Sequence, residues 1–157
     1  MNTLRKIVVV RYAGGSYPGK ACREELYPLI ETLIHKIVLA RVVILSSSAS
    51  AALATAHYLK EAFRGATVEN VEDNALFAFD EYYQFKNVYR VLYEVAERTN
   101  AEWMFVVADY LVATQFSASF SQEAGWITTA PEYDLKEGEG IVIDPITQTI
   151  EPITRPG

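Results

Sequence analysis

The sequence of 157 residues is poor in the side chains that build disulfide frameworks and metal centres. It contains one cysteine, Cys22, and two histidines, His35 and His57. A single cysteine excludes an intrachain disulfide and a cysteine-rich metal site. The two histidines fall in different predicted helices without a second ligand nearby, so we expect neither a bound metal nor another cofactor.

Positive charge is also scarce. Lys and Arg total 14 against 20 Asp and Glu, the formal net charge is −6, and no basic run exceeds a dipeptide. Binding to nucleic acid phosphates requires basic patches, so no nucleic acid partner is expected. The first apolar run, Ile7–Val10, is too short for a signal-peptide core or a membrane span. Composition therefore predicts a cytoplasmic protein with no membrane partner.

Apolar residues are abundant, because half of the chain is hydrophobic and 12% is aromatic. A chain of this length and composition can bury a sizeable core, and we expect residues 1–157 to form a single domain. Short apolar runs alternate with stretches of helical periodicity. We expect strands at 6–10, 41–45, 67–71 and 103–108. We expect helices at 28–38, at 87–98, at 111–120, and from N-caps at Ser46–Ser48 to about residue 63. A closing strand pair is expected at 139–144 and 149–153, around a turn at 144–147. This order predicts a three-layer α/β/α sandwich with a mostly parallel sheet and a C-terminal antiparallel hairpin.

Ligands of such folds bind beyond the carboxyl ends of the strands. Three predicted strands end in the stretches VVVRYAG, LSSSASAALATA and FVVADYLVATQF. In order and spacing, these resemble three signatures of the histidine phosphatase superfamily, which is also called phosphoglycerate mutase-like. The resemblance extends over nearly the whole chain and implies the phosphoglycerate mutase-like fold.

The same resemblance implies that the residues of phosphotransfer are missing. The family carries Arg-His-Gly where this chain has Arg11-Tyr12-Ala13, an arginine where it has Ala51, and a second histidine where it has Asp109. In the family the first histidine attacks a phosphoryl group, while two arginines and the second histidine hold its oxygens. A phenol with a pKa near ~10 is a weak nucleophile at neutral pH, Ala51 removes a guanidinium, and Asp109 repels an anion.

We therefore predict no catalytic residue and interpret the chain as an inactive member with a binding or regulatory role. The candidate remodelled pocket comprises Arg11, Tyr12, Ser47, Ala51, Asp109 and Tyr110. An Arg11–Asp109 ion pair that fills this pocket is favoured over a working anion site. The expected partner is another protein or a small anionic ligand. The alternative is a phosphohydrolase or other enzyme with altered chemistry at the same place.

Two further patterns leave alternatives open. Gly14–Lys20 fits the P-loop spacing G-x-x-x-x-G-K, but Ala21 replaces the hydroxyl residue that should reach Mg²⁺ and Pro18 removes an amide, so nucleotide binding is the less favoured alternative. Residues 77–93 are rich in aromatic side chains. We expect most of them to pack on the sheet and one or two tyrosines to mediate contact between copies of the chain. The nearby carboxylates are interpreted as a solvated acidic loop rather than a source of the family's general acid: Glu72, Asp73, Asp80 and Glu81.

Overall fold

The computed structural model of the protein describes residues 3–13, 20–37, 39–47, 49–70 and 88–155. Within these ranges six strands form one sheet in the order β3-β2-β4-β1-β5-β6. β1 to β4 run parallel, β5 is antiparallel to β1, and β6 is antiparallel to β5. The strands are β1 Lys6–Arg11, β2 Val42–Ser46, β3 Thr67–Asn70, β4 Trp103–Ala108, β5 Gly140–Asp144 and β6 Thr149–Ile153, and the helices are α1 Lys20–Leu33, α2 Ser50–Ala62, α3 Val88–Thr99 and α4 Tyr110–Glu123.

Alternate residues of the central strands face two separate apolar cores. In β1, Ile7 and Val9 pack with α3 and α4, whereas Val8 and Val10 pack with α1 and α2. All four side chains are fully buried, as expected for a strand that is covered on both faces. The chain therefore forms the three-layer α/β/α sandwich with a C-terminal antiparallel pair that the sequence predicts. No helix of the described residues combines the length and apolar character that crossing a membrane requires.

Helix α1 differs from its prediction. It begins at Lys20, ends at Leu33 and contains Pro28 in its interior, whereas the sequence pattern placed Pro28 in the first turn and extended the helix to residue 38. An interior proline costs a helix roughly 3 kcal/mol. That cost is offset because Leu26, Leu29 and Leu33 form one buried stripe against the sheet. Tertiary burial thus decides where this helix begins.

The start of α2 also differs from its prediction. Its N-cap residue is Ala49, which makes no side-chain capping bond. Ser46 donates its hydroxyl proton to the Ser47 carbonyl at 2.9 Å, and the Ser47 hydroxyl oxygen accepts from the Ala49 amide at 3.4 Å. These bonds shape the turn from strand to helix and do not cap the helix, while Ser48 lies outside the described residues.

The closing hairpin confirms its predicted turn. The Oδ1 atom of Asp144 accepts hydrogen bonds from the amides of Ile146 at 2.9 Å and Thr147 at 3.0 Å. Such a bond from an aspartate to the backbone two residues on is typical of turn initiation. Asp144 also binds Lys6 Nζ at 2.7 Å through its other oxygen, which ties β5 to the beginning of β1.

Candidate functional site at the carboxyl edge of the sheet

Three of the predicted loops leave the sheet at one edge. β4 lies between β1 and β2, so Arg11 is paired with Ala108 and Ser46 with Val107. The Tyr12 amide continues the ladder past the end of β1 by donating to the Ala108 carbonyl at 3.0 Å. The expectation that β1, β2 and β4 deliver their ends to a common edge is confirmed.

Arg11 is held by groups of its own chain. Its Nη1 donates to the Leu135 carbonyl at 2.7 Å, and its guanidinium carbon lies 4.8 Å from the centroid of the Tyr110 ring. A guanidinium over an aromatic face is attracted by the negative face of the ring. Arg11 and Asp109 are both described, and no ion pair joins them. The predicted Arg11–Asp109 pair is therefore wrong.

Asp109 instead caps helix α4. It occupies the N-cap position, and its Oδ1 accepts from the Val112 amide at 2.9 Å. An aspartate here satisfies one of the unpaired amides of the first turn and places negative charge at the positive end of the helix dipole. This local bond keeps the Asp109 carboxylate at the helix terminus, which explains why it does not turn toward Arg11.

Tyr12 is partly buried between these charges. Burial raises the pKa of its phenol above the ordinary 10.0, the negative charges of Asp109 and Glu137 raise it further, and Arg11 opposes them. The phenol is therefore neutral at pH 7 and is not activated as a nucleophile. The effects of Arg11 and Asp109 on the Tyr12 pKa also show that these predicted site residues lie in one electrostatic environment.

Tyr110 lies at the exposed side of the same edge. Its side chain is 41% exposed, and its hydroxyl donates to Asp134 Oδ1 at 2.7 Å. The hydrogen bond to Asp134 raises the pKa of the phenol, and the negative charge of Asp134 adds to this effect while Arg11 opposes it. Tyr110 is thus fixed between a cation that faces its ring and a carboxylate at its hydroxyl.

Ser47 and Ala51 flank the edge on the side of α2. Ala51 is buried at the start of α2, and one turn later the Thr55 hydroxyl oxygen accepts from the Ala13 amide at 3.1 Å, which ties the end of β1 to this helix. Within the described part of the chain, no hydrogen bond joins Ser47 to Arg11 or Asp109. The structure brings Arg11, Tyr12, Asp109 and Tyr110 into contact or electrostatic range. Ser47 and Ala51 follow the end of β2, the strand on the other side of β4.

Residues 134–139 were missed as part of the site. Arg11 is bonded to Leu135 through its side chain, and its backbone exchanges hydrogen bonds with Gly138 and Glu139. Glu139 is buried, and its carboxylate accepts from the Lys136 amide at 2.7 Å and the Arg155 amide at 2.6 Å, which holds this segment in place. The sequence predicted a strand at 139–144 that is antiparallel to 149–153, but it did not predict that this strand pairs with β1. A strand that runs antiparallel to β1 begins at the edge where β1 ends, so the residues before it must lie there.

Several sequence expectations fall on other residues. Positions 14–19 of the P-loop-like stretch, the acidic residues of segment 71–85 and the aromatic residues before position 88 lie outside the described ranges. Of the aromatic segment, Tyr89 and Tyr93 are described. Their rings stack at 4.3 Å and pack against the core between α3 and α4, as expected for most of these side chains. No group of three or more His, Cys, Asp or Glu that could hold a metal ion occurs among the described residues.

The chain matches no protein-family model and no curated protein sequence. Solved structures do match it over nearly its whole length. It has 14% identity and a TM-score of 0.58 to the protein assigned as phosphohistidine phosphatase SixA from Agrobacterium tumefaciens, over 98% of this chain and 97% of that one. The protein assigned as alpha-ribazole-5'-P phosphatase from Escherichia coli has 14% identity and a TM-score of 0.53, over 98% of this chain and 97% of that one. YhfR from Bacillus stearothermophilus has 13% identity and a TM-score of 0.53, over 96% of each chain.

These neighbours define the class of protein by its fold. The chain has the histidine phosphatase, or phosphoglycerate mutase-like, fold, which confirms the resemblance drawn from the three strand-end stretches.

Proposed function

We propose that this protein is a catalytically inactive member of the histidine phosphatase fold and that it acts by binding another protein or a small ligand at the carboxyl edge of its sheet. The observation that carries the proposal is the chemistry at the ends of β1 and β4. Tyr12 and Asp109 stand where the resembling family has its two histidines, the Tyr12 phenol has a raised pKa, and Asp109 serves as a helix cap. A neutral phenol and a capping carboxylate supply neither a nucleophile nor a clamp for phosphoryl oxygens.

The charges described at this edge also disfavour a phosphate dianion. Arg11 contributes one positive charge, while Asp109, Asp134 and Glu137 are carboxylates that act on Tyr12 or Tyr110. One Arg11 donor is already bonded to the Leu135 carbonyl. An incoming anion would have to compete with that bond and overcome repulsion from the carboxylates. An anionic ligand should therefore bind weakly, and we propose that protein surfaces or less highly charged ligands are preferred.

The alternative proposal is an enzyme with altered chemistry at the same edge. The names of the fold neighbours support it, because two are assigned as phosphatases of phosphohistidine and of alpha-ribazole-5'-P. If this chain retains turnover, a phosphorylated substrate is the class to test first.

The cytoplasmic location of the protein and the contact between copies through residues 77–93 remain predictions. Light scattering of the purified chain tests whether copies associate.

Hydrolysis assays separate the two proposals. The purified chain is incubated with p-nitrophenyl phosphate and with phosphohistidine, beside the variants Tyr12→Phe and Tyr89→Phe. The second variant is a matched control, because Tyr89 is a partly buried tyrosine of α3 that packs against the core on the side of α3 and α4, away from Tyr12. We expect no turnover above the protein-free blank. Turnover that persists through repurification and is lost in Tyr12→Phe but not in Tyr89→Phe would establish the alternative.

Binding is tested by thermal unfolding in the presence of phosphorylated metabolites, nucleotides and divalent metals. A ligand at about 100 times its dissociation constant adds about 2.7 kcal/mol to the free energy of unfolding. If the ligand binds at the carboxyl edge, it should no longer stabilise the variant Arg11→Gln.

A further inference from the structure

Residues 130–136 run back along helix α4 toward the carboxyl edge, and we call this segment the strap. The residues of α4 that bind the strap are three or four positions apart, so they lie on one face of the helix. In order toward the edge, the bonded pairs are the Ser121 hydroxyl and the Ala130 amide at 2.8 Å, the Ser117 hydroxyl and the Pro131 carbonyl at 2.7 Å, the Thr114 carbonyl and the Tyr133 amide at 3.1 Å, and the Tyr110 hydroxyl and Asp134 Oδ1 at 2.7 Å. The strap is therefore held against α4 along most of its length.

The strap ends on Arg11. The Leu135 carbonyl accepts from Arg11 Nη1 at 2.7 Å, and the Lys136 amide donates to Glu139 Oε1 at 2.7 Å, just before β5 begins. The Tyr110 ring faces the same guanidinium, with 4.8 Å between its centroid and the guanidinium carbon. Tyr110 thus contacts Arg11 through its ring and the strap through its hydroxyl.

The two ends of the strap differ in burial. At the far end, Ser117 and Ser121 are fully buried. At the edge, Tyr110 is 41% exposed and Asp134 is exposed, so water competes for the hydrogen bond between them. The Leu135 side chain is buried, and moving it into water has a cost, so the strap at the edge opens only as a minor state.

We propose that the strap is an autoinhibitory contact of the carboxyl edge and that the hydrogen bond between Tyr110 and Asp134 is the latch that keeps it closed. In the closed form, the Leu135 carbonyl occupies an Arg11 donor that a ligand would use. In the open form, Asp134 and Leu135 move away from α4, and Arg11 becomes available to an anionic group. The inference rests on the proposed binding role of this edge, and it adds that ligand affinity depends on the fraction of molecules with an open strap.

Two substitutions separate the latch from electrostatic repulsion. Tyr110→Phe removes the latch and keeps the ring that faces Arg11. Asp134→Asn removes a negative charge and keeps an oxygen that accepts from the Tyr110 hydroxyl. Tyr27→Phe is the matched control, because Tyr27 is an exposed tyrosine of α1, on the other side of the sheet from α4. Native-state hydrogen exchange without ligand and NMR titration with inorganic phosphate are measured for each variant.

Hydrogen exchange reports the opening of the strap. In Tyr110→Phe, we expect the amides of Tyr133 and Lys136 to exchange about fivefold faster than in the wild-type chain. The Ala130 amide should be unchanged, because it is bonded to the buried hydroxyl of Ser121.

Phosphate binding reports access to Arg11. In Tyr110→Phe, the dissociation constant for phosphate should fall by the same factor of about five, because apparent affinity scales with the open fraction. Adding Arg11→Gln to this variant should abolish the gain. Asp134→Asn should also strengthen phosphate binding, but with less change in exchange than Tyr110→Phe produces. Tyr27→Phe should leave both measurements unchanged.

The proposal is overturned if Tyr110→Phe does not accelerate exchange at Tyr133 and Lys136, or if it accelerates exchange at Ala130 equally. It is also overturned if exchange accelerates while phosphate affinity stays the same, or if the gain in affinity survives Arg11→Gln. These results leave the proposed function intact, because a partner can bind the edge with the strap closed. Hydrolysis by the wild-type chain would instead contradict the proposed function without affecting the exchange result.

Discussion

Arg11, which the sequence resemblance matches to an arginine of the family, is bound by groups of its own chain. Its guanidinium bonds to the Leu135 carbonyl and faces the Tyr110 ring. The carbonyl accepts a hydrogen bond from the guanidinium and the ring interacts with its positive charge, so both interactions form without a ligand. Asp109 in turn is bonded at the start of α4. The two side chains that determine the charge of this edge are therefore each positioned by an interaction unrelated to phosphate.

Replacing Asp109 by Asn should strengthen binding of inorganic phosphate by about fivefold, which corresponds to ~1 kcal/mol. The substitution removes a repelling charge, and Asn is as good an N-cap residue as Asp. Phosphate titrations followed by NMR measure the change. Asp109→Ala is the matched control for the cap, and it should lower the free energy of unfolding by about 1 kcal/mol. Unchanged or weaker phosphate binding in Asp109→Asn would show that Asp109 does not repel an anion at Arg11.

The same substitution should lower the pKa of Tyr12, because it removes a negative charge that raises this pKa. Since the folded state raises the pKa above 10.0, the neutral phenol stabilises the fold below that value, and the stabilisation is lost as the pH rises through the folded pKa. Titration of ¹³C-labelled tyrosine by NMR measures the shift, with Tyr12→Phe to assign the signal. Asp144→Asn, at the opposite edge, should leave the signal unchanged. An equal response to both substitutions would argue against a local effect of Asp109.

At the scale of elements, close approach between β5 and its neighbours requires glycine. A Cβ added to Gly140 would lie 2.6 Å from the Val9 carbonyl oxygen and 2.7 Å from a Leu29 methyl carbon. Gly140 is the first residue of β5 and pairs with Val10, directly before the end of β1. The position of the 134–139 segment at the site therefore depends on a residue without a side chain.

Gly140→Ala should lower the free energy of unfolding by about 2 to 3 kcal/mol, because the backbone of β1 and a buried leucine must both move. Gly65→Ala is the comparison. Gly65 has a φ of +82° with nothing within 4 Å of the added carbon, so its substitution carries only the conformational cost of about 1 kcal/mol. Urea unfolding measures both. Equal losses in the two variants would mean that β5 adjusts freely against β1 and Leu29.

At the scale of the whole molecule, sheet order explains how distant stretches reach one edge. β1 and β2 flank β4, and β5 pairs with the free side of β1. Three parallel strands therefore deliver their ends together, while the antiparallel strand brings in the residues that precede it. The P-loop interpretation of Gly14–Lys20 used the first of these loops and the apolar strand that ends before Asp109.

The purified chain should not bind Mg·ATP or Mg·GTP through residues 14–20. Ala21 lacks the hydroxyl that a P-loop directs to Mg²⁺, and Pro18 lacks an amide proton for the phosphate cradle. Isothermal titration calorimetry measures this directly, with Lys20→Ala as the diagnostic variant and Lys36→Ala as a surface control. Micromolar binding that disappears only in Lys20→Ala would reverse the interpretation.

The local sequence was sufficient for the strands and for most helices. Strand β4 was predicted with its observed ends, and β1 and β2 to within a residue, because continuous apolar runs are buried on both faces of a sheet wherever they lie in it. The order of the strand-end stretches also indicated the fold and the shared edge. The strands and helices depend on residues that are close together in the chain, whereas the fold and the shared edge were indicated by the resemblance of all three stretches taken together.

Only the tertiary structure decided the start of α1, the partner of Arg11 and the participation of residues 134–139. Burial of Leu26 beside Leu29 outweighs the cost of Pro28, which a local pattern cannot weigh. Arg11 bonds to Leu135, a residue 124 positions away along the chain, and not to Asp109, the carboxylate that charge alone suggested. Charge and periodicity identify which groups are present, but which of them meet is set by the packing of strands and helices that are remote in sequence.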